Sequence, residues 1–310
     1  MSRARAEQSP ESQKAILELS KKSLQLYTEF FKEESVEVDL IEGIATLYND
    51  AIEARQTAQL LNARFIDDGE VSELGFNGFG GGVIHERELS INPTKLLKSL
   101  HRKLVGTGVN IIDATTTNLQ GSPPKVTSVV ASERTLKADA YVVAGGSWSS
   151  EICRPLGFNP QVLPARGMAM VFDTGGVEIT QIPALFEDYG TVVVQHNRST
   201  VRITGFFDLV GFSGTYNESR KRWLLHVARK HVKKYGEMRF VEEGIGYRPC
   251  TPDRLPSIGP VLGYNNLYIA SGHCRIGITL APVTGYALKC MIDGEECPID
   301  LSQFSPSRFT

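Results

Sequence analysis

Hydrophobic residues recur every three or four positions in four stretches of the chain, which is the spacing of an amphipathic helix. The pattern predicts helices over residues 13–32, 50–63, 93–104 and 216–236. The third begins after Asn92-Pro93 and ends before two glycines, a typical helix stop. In the fourth, which is basic, we expect four residues to form the buried side: Trp223, Leu224, Val227 and Val232.

Alternating and β-branched stretches lie between the predicted helices. From residue 161 to residue 211 such stretches are separated by turns, and this pattern predicts an antiparallel sheet. The centre of the stretch from residue 65 to residue 109, ahead of its helix, is predicted to be a loop or hairpin. Further strands are expected in three regions: one or two in residues 36–50, one at 109–115, and two or three across 126–146.

Residues 246–288 contain the features that point to a binding site. We interpret them as a loop carrying Arg248, a proline-rich turn, a strand at 267–270 and a final helix. The small residues before that helix let a backbone approach a ligand closely, and the helix dipole directs its positive end to the same place. Arginine binds carboxylates bidentately, so Arg248 and Arg275 predict an anion-binding site at a helix N-terminus.

The composition is that of a soluble globular protein, with 310 residues, 41% of them hydrophobic, and a net charge of −2. This length allows one large domain or two interleaved ones. The near-zero charge and the lack of a basic stripe argue against nucleic acid as a partner. The apolar runs are too short for a transmembrane segment, and the polar N-terminus lacks the apolar core of a secretory signal.

The cysteines are scattered, odd in number and without a CxxC pair. This arrangement fits reduced thiols in a cytosol-like compartment better than disulfides or a zinc site. We therefore expect a cytoplasmic location, no disulfide and no metal. The five cysteines are Cys153, Cys250, Cys274, Cys290 and Cys297.

No dinucleotide-binding GxGxxG motif occurs anywhere in the sequence. The glycine cluster at residues 78–82 has the wrong spacing, and we interpret it as a flexible hairpin loop rather than a phosphate-binding turn. The GxxxxGK[ST], HExxH and GxSxG motifs are also missing.

Seven stretches occur in an order that matches a known family: Asn92-Pro93, AYVVAGGSWSS at 140–150, LPARGMAM at 163–170, RITGFFDLVGFSG at 202–214, GYRPCTPDRLPSIGP at 246–260, SGHCRIGITLAPVTG at 271–285 and FSPSRF at 304–309. Together they resemble the D-amino-acid oxidase superfamily of FAD-dependent oxidoreductases. The similarity is greatest to the small subunit of D-amino-acid dehydrogenase, with glycine oxidase nearby. The dehydrogenases usually carry glycine where Cys274 stands, and residues 192–194 lack the tyrosine with which glycine oxidase helps to hold its substrate.

The resemblance implies a mixed α/β and α+β fold. An FAD-binding, three-layer Rossmann-like domain would be interleaved with a substrate domain built on an antiparallel sheet. The expected boundaries are 1–35, 92–155 and 246–310 for the first domain, and 36–91 and 156–245 for the second. The first domain would be incomplete at its N-terminus, because the family's glycine-containing βαβ segment has no counterpart here. An incomplete gene model, a divergent protein and a piece completed by a partner subunit remain open.

The resemblance also assigns site residues. Arg248, with Arg275 beside it or bracing the loop, would bind the substrate carboxylate. His273 would lie at the cofactor as a structural residue rather than a base. Contacts with FAD are expected from Gly145, Gly146, Gly272, His273, Gly277, Ile278 and Thr279, with Thr117 near the adenine.

The implied activity is oxidation of the CH–NH group of an amino acid by FAD. A hydride would pass from Cα to flavin N5, and the imino acid would hydrolyse to a 2-oxo acid and ammonia. The electron acceptor is open. The alternatives are a glycine- or sarcosine-oxidase-like activity, and an impaired or partner-dependent chain that binds no FAD alone. A location at the membrane periphery is the alternative to the cytoplasm.

Overall fold

The structure is a computed structural model that describes residues 9–33, 36–214 and 218–309 of the chain. Its helices are α1 (Pro10–Glu33), α2 (Ala51–Leu61), α3 (Asp68–Glu73), α4 (Pro93–Gly106), α5 (Ser149–Cys153), α6 (Glu218–His231) and α7 (Gly277–Asp293). Its strands are β1 (Ile41–Tyr48), β2 (Arg64–Asp67), β3 (Gly81–Ser90), β4 (Thr116–Ser122), β5 (Lys125–Ala131), β6 (Arg134–Leu136), β7 (Tyr141–Val143), β8 (Leu163–Asp173), β9 (Ala184–Phe186), β10 (Thr191–Asn197), β11 (Thr200–Asp208), β12 (Arg239–Cys250), β13 (Ser257–Pro260) and β14 (Leu267–Ser271).

Polar side chains fix where several helices begin. Asp50 accepts a hydrogen bond from the backbone N–H of Ile52 at the start of α2. Asn92 accepts from the N–H groups of the second and third residues of α4, and Pro93 occupies the first position of that helix. A side-chain oxygen before the first turn satisfies N–H groups that have no partner within the helix. The start predicted for α4 from Asn92-Pro93 is therefore confirmed.

The largest sheet has eight strands in the order β12-β8-β11-β10-β9-β1-β3-β2, and β1–β9 is its parallel pair. Alternate residues of β8 and β11 point into a core that α6 covers, while the others face the opposite side of the sheet. The predicted antiparallel sheet across residues 161–211 is therefore confirmed. Fully buried members of this core include Leu47, Met170, Phe172, Phe186, Ile203 and Leu224.

A smaller sheet, in the order β13-β14-β7, lies between two further apolar layers. Tyr141 and Val143 of β7 pack with residues of β4 and β5 on one face. Ile258 packs with α7 and α1 on the other. Strand β7 runs parallel to β14 and forms an edge of this sheet within the described residues, with the side chain of Val142 43% exposed. The predicted mixed α/β class is confirmed, whereas the division into two interleaved domains stays a prediction.

Several local predictions were wrong. Residues 109–115 are not a strand, because no neighbouring strand pairs with them in the described part of the chain. The predicted loop or hairpin falls where α3 and the turn at residues 74–80 join β2 to its antiparallel partner β3, and helix α3 was not predicted. Trp223 is 38% exposed, since only its neighbours on α6 face the core.

The glycine cluster at residues 78–82 is not a flexible hairpin loop either. Gly81 and Gly82 are the first residues of β3, which pairs with β1 and β2. A Cβ on Gly82 would lie 2.7 Å from a side-chain atom of Leu47, and one on Gly80 would lie 2.7 Å from backbone atoms. These glycines therefore allow the neighbouring chain segments to pack closely, because any side chain at these positions would clash with them.

Within the described ranges, no helix combines the length and the apolar character needed to cross a membrane.

Candidate active site

Arg248 lies in strand β12 and not in the loop predicted for it. Strand β12 pairs antiparallel with β8, and Gly167 of β8 provides the space that the guanidinium group of Arg248 fills. Its Nη1 donates a hydrogen bond to the backbone oxygen of Phe206, at 3.0 Å. Burial, and then the positive charge of Arg275, lower the pKa of Arg248 from its usual value.

Arg275 lies on the connection between β14 and α7, where its side chain is exposed. Its guanidinium carbon lies 5.3 Å from the centre of the Phe207 ring, within range of a cation–π contact. Neither Arg248 nor Arg275 forms an ion pair with an acidic residue in the described part of the chain. Arg248 is hydrogen-bonded to Phe206 and Arg275 lies over the ring of the next residue, Phe207, so the two predicted arginines approach the end of β11 as two positive charges without an acidic partner in the described residues.

A disulfide joins Cys250 to Cys274, with 4.3 Å between their Cα atoms. The expectation that every cysteine is reduced was therefore wrong. The two residues are 24 positions apart and belong to no local motif, and they meet because the end of β12 lies beside the connection that precedes α7. The backbone N–H of Cys274 also donates to the oxygen of Pro249, at 2.7 Å. The free cysteines are Cys153 and Cys290, which are buried, and Cys297, which is partly exposed.

His273 is buried, and its Nε2 lies 3.0 Å from the hydroxyl oxygen of Thr284 in α7. Burial lowers the pKa of His273 to about 4, so the ring is neutral at pH 7. A neutral, buried ring that ties its loop to α7 supports the structural interpretation of this residue. Its contact with a cofactor stays a prediction.

Helix α7 begins at Gly277 without a side-chain cap, because the residue in the cap position is Ile276. The first helical N–H groups have no partner within a helix, and they carry the positive end of its dipole. Ile278 and Thr279 are exposed on this first turn. The predicted positions Gly277, Ile278 and Thr279 therefore form an open helix N-terminus on the same connection as Arg275.

The ends of β7, β14 and β12 converge beside this connection. The backbone oxygen of Gly146 accepts hydrogen bonds from the hydroxyls of Ser149 and Ser271, at 2.8 and 2.9 Å. Ser147 donates to the backbone oxygen of Tyr247 at 2.9 Å, which joins the turn after β7 to the residue before Arg248. Gly146 has a φ of +54° and Gly272 one of +80°, a backbone region that glycine enters at little cost.

Gly145 packs against the side chain of Ile152, so its lack of a Cβ serves the turn itself. Thr117 does not join this group: its backbone lies in β4 of the separate sheet β4-β5-β6, and its side chain lies outside what the structure describes.

An open cavity of about 480 Å³ extends along the exposed face of β11, β8 and β12 and ends at Arg248. A second, of about 380 Å³, is lined by Phe207, His273, Cys274 and Arg275. Sequence reasoning missed the part that Phe207 and Tyr247 play here. Period-two alternation in β12 could have placed Glu242, Gly244 and Gly246 on the same face as Arg248, had the segment been recognised as a strand.

One protein family matches the chain over residues 3–291, and its description is DAO, FAD dependent oxidoreductase. The D-amino acid dehydrogenase of Bradyrhizobium diazoefficiens is 30% identical over 185 residues, which are 60% of this chain and 44% of that protein. That of Allorhizobium ampelinum is 29% identical over 231 residues, 74% of this chain and 54% of the relative. The glycine oxidase of Pseudomonas aeruginosa is 27% identical over 59% of this chain and 50% of its own length. The matches thus span about half the length of these curated relatives.

Solved structures show the same fold at lower identity. Iminodiacetate oxidase from Chelativorans sp. BNC1 superposes with a TM-score of 0.85 at 19% identity, covering 98% of this chain and 86% of that one. Glycine oxidase from Geobacillus kaustophilus gives a TM-score of 0.82 at 20% identity, covering 98% and 85%.

Proposed function

Because the chain belongs to the DAO family of FAD-dependent oxidoreductases, we propose that it takes part in oxidising the CH–NH group of an amino acid whose carboxylate Arg248 binds. The observation that carries this proposal is a pair of arginines that meet at Phe206 and Phe207, without an acidic partner among the described residues, near an uncapped helix N-terminus. A carboxylate is the ligand that such a pair recognises through paired, charge-assisted hydrogen bonds.

The residues around α7 fit the flavin end of FAD. Among the described residues, no side chain caps the N–H groups in the first turn of α7, and beyond its chain neighbours nothing lies within 4 Å of the place where a Cβ on Gly146 would stand. For the phosphates, the sequence offers no GxGxxG turn between a strand and a helix. We therefore limit the proposed contacts to the flavin end: Gly145, Gly146, Gly272, His273, Gly277, Ile278 and Thr279. Thr117 remains a proposal for the adenine end, from the resemblance alone.

Each side chain would have a binding or positioning role. Arg248, fixed by its hydrogen bond to Phe206, would hold the substrate carboxylate at a set position. Arg275 would neutralise the second carboxylate oxygen from the neighbouring connection. FAD, when bound, would supply the two-electron oxidation of the CH–NH group. The N-terminus of α7 would stabilise negative charge beside it.

The released imino acid would hydrolyse to a 2-oxo acid and ammonia. His273 would not act as a base, because it is buried, neutral and hydrogen-bonded to Thr284. The names of the relatives favour a D-amino acid as substrate over glycine or sarcosine. An acceptor other than oxygen would follow from the same relatives.

A second candidate is a chain that binds FAD only together with a further polypeptide segment. One observation favours it: β7 is an edge strand of a parallel pair in the described residues, and Val142 of β7 is 43% exposed. Parallel strands are usually paired on both sides and covered on both faces.

The visible spectrum of the purified 310-residue chain, before and after incubation with FAD, tests both candidates. The first predicts bound-flavin bands that bleach when a D-amino acid is added without oxygen. Arg248→Ala should lower kcat/KM roughly 100-fold or more, through loss of charge-assisted hydrogen bonds. Arg239→Ala is the matched control, since it removes an arginine from the other end of β12, where the residue pairs with Asp173. A colourless chain that cannot be reconstituted would support the second candidate and contradict the first.

A further inference from the structure

The disulfide Cys250–Cys274 connects the two chain segments that carry the arginines. Cys250 ends β12 two residues after Arg248, and Cys274 directly precedes Arg275. The disulfide is therefore a covalent link between the supports of the two positive charges.

Of the two supports, that of Arg248 is the more firmly held. Strand β12 pairs with β8 along its length, and the guanidinium group itself is hydrogen-bonded to Phe206. The connection carrying Arg275 has fewer ties: the N–H of Cys274 donates to Pro249, and His273 contacts Thr284. We therefore expect Arg275, rather than Arg248, to change position when the disulfide opens.

Two features oppose the position that the connection adopts. Cys274 has a φ of +51°, in the left-handed region that residues other than glycine avoid. Arg275 lies near a second positive charge without an acidic partner in the described residues, and like charges repel. A covalent link therefore holds the connection against this opposition more firmly than its hydrogen bonds and the bridge between His273 and Cys250 do alone.

We propose that the Cys250–Cys274 disulfide is a redox-dependent positioning link that keeps Arg275 beside Arg248, so that its reduction weakens the binding of carboxylates. This inference rests on the proposed function, because it takes the arginine pair as the carboxylate site. With the link closed, the pair is pre-organised. With the link open, a carboxylate must first bring Arg275 back, and that ordering reduces affinity.

The redox step needs a dithiol as reductant. A thiolate of the dithiol attacks a sulfur of the disulfide and forms a mixed disulfide, which the second thiol resolves. The S–S bond breaks and both cysteines become thiols. The dithiol supplies the two electrons and two protons and becomes a cyclic disulfide. Cys250 is 4% exposed whereas Cys274 is partly exposed, so the attack is expected at the sulfur of Cys274.

The first measurement is peptide mapping of the unreduced full chain by mass spectrometry, in which Cys250 and Cys274 should appear in one linked species. Dissociation constants for benzoate and for benzamide are then measured by ligand-observed NMR, with the disulfide intact and after treatment with dithiothreitol. Benzamide has nearly the same shape without the charge. We expect reduction to weaken benzoate binding about tenfold, or 1.4 kcal/mol, and to leave benzamide binding unchanged.

Variants separate the link from a general effect on folding. Cys274→Gly removes the disulfide and suits the positive φ, so this variant should bind benzoate as weakly as the reduced protein and show no response to dithiothreitol. Arg275→Ala should also lose the response, because the link acts through that side chain. Cys297→Ser changes a free cysteine and should respond as the unchanged chain does.

The failure of this inference and that of the proposed function give different results. Equal benzoate affinity in the oxidised and reduced chains, or equal weakening of benzamide, would overturn the positioning link alone, as would unlinked cysteines in the map. An oxidised chain that does not prefer benzoate to benzamide would overturn the arginine site itself, and both proposals with it.

Discussion

Gly167 controls where the guanidinium group of Arg248 can lie, and replacing it tests the site directly. A Cβ at this position would stand 2.7 Å from Cζ and 2.8 Å from Nη2 of Arg248, and closer still to Nη1. Contacts between carbon atoms are comfortable only at about 3.5–4.0 Å, so the group must move by about 1 Å in Gly167→Ala. That movement breaks the 3.0 Å hydrogen bond to the backbone oxygen of Phe206.

The stability of Gly167→Ala should fall by only about 1 kcal/mol, because one hydrogen bond is lost and a flexible side chain can turn away. Its affinity for benzoate should fall roughly 30-fold, or about 2 kcal/mol, since a charge-assisted contact is lost. The assays are thermal unfolding and ligand-observed NMR.

Gly244→Ala is the matched control for this substitution. Gly244 pairs with Ala169, on the neighbouring strand of the same sheet, and beyond its chain neighbours no described residue lies within 4 Å of its added Cβ. Equal benzoate affinity in the two alanine variants would refute the placement of Arg248. In an Arg248→Ala background, Gly167→Ala should have no further effect on affinity, which is the coupling expected of residues that act together.

Two further predictions concern stability. Burial lowers the pKa of His273 to about 4 from the ordinary value near 6.5, so its stabilising contribution is complete above pH 6.5 and is lost as the pH falls toward 4. In thermal unfolding, the stability of the unchanged chain should decline from pH 7 to pH 5. The decline should be smaller in His273→Gln and the same in His226→Gln, which replaces an exposed histidine. An identical decline in the unchanged chain and both variants would contradict the role of His273. Phe186→Ala should lower the free energy of unfolding, measured in urea, by about 4 kcal/mol, because Phe186 is fully buried against the rings of Phe76 and Phe79. As a control, Phe240→Ala should lower it by less than about 1 kcal/mol, because Phe240 is exposed.

Periodicity predicted the elements that bury one continuous face. Helix α1 and the antiparallel strands from β8 to β11 follow the expected spacing, since each packs an apolar face against a core. Helix α4 also forms where it was predicted, although Leu97, Leu104 and Val105 are exposed and Leu96 is its buried residue. Residues 109–115 show why the same reasoning fails elsewhere. Their composition favours a strand, but a strand forms only beside a hydrogen-bonding neighbour, and the sequence of the segment carries no information about that neighbour.

The residue types of the site could be predicted from the sequence, but their arrangement in space could not. The glycines and arginines of residues 246–285 indicated an anion-binding place, and the resemblance supplied the roles. The disulfide was not accessible, because it depends on the meeting of two segments 24 residues apart. The role of Gly167 was not accessible either, because it depends on which residue of β8 faces Arg248 across the ladder.

The register of β8 and β12 therefore connects the hydrophobic core with the chemistry. Met168, Met170 and Phe172 of β8 are buried against α6, and this burial fixes which face of the strand points inward. Gly167 and Ala169 must then point to the opposite face, together with Gly244, Gly246 and Arg248 of β12. A slip of one residue in β12 would turn Arg248 to the other face of the sheet and remove it from the cavity. The apolar residues of β8 thus position the arginine without touching it, and core substitutions there should alter carboxylate binding as well as stability.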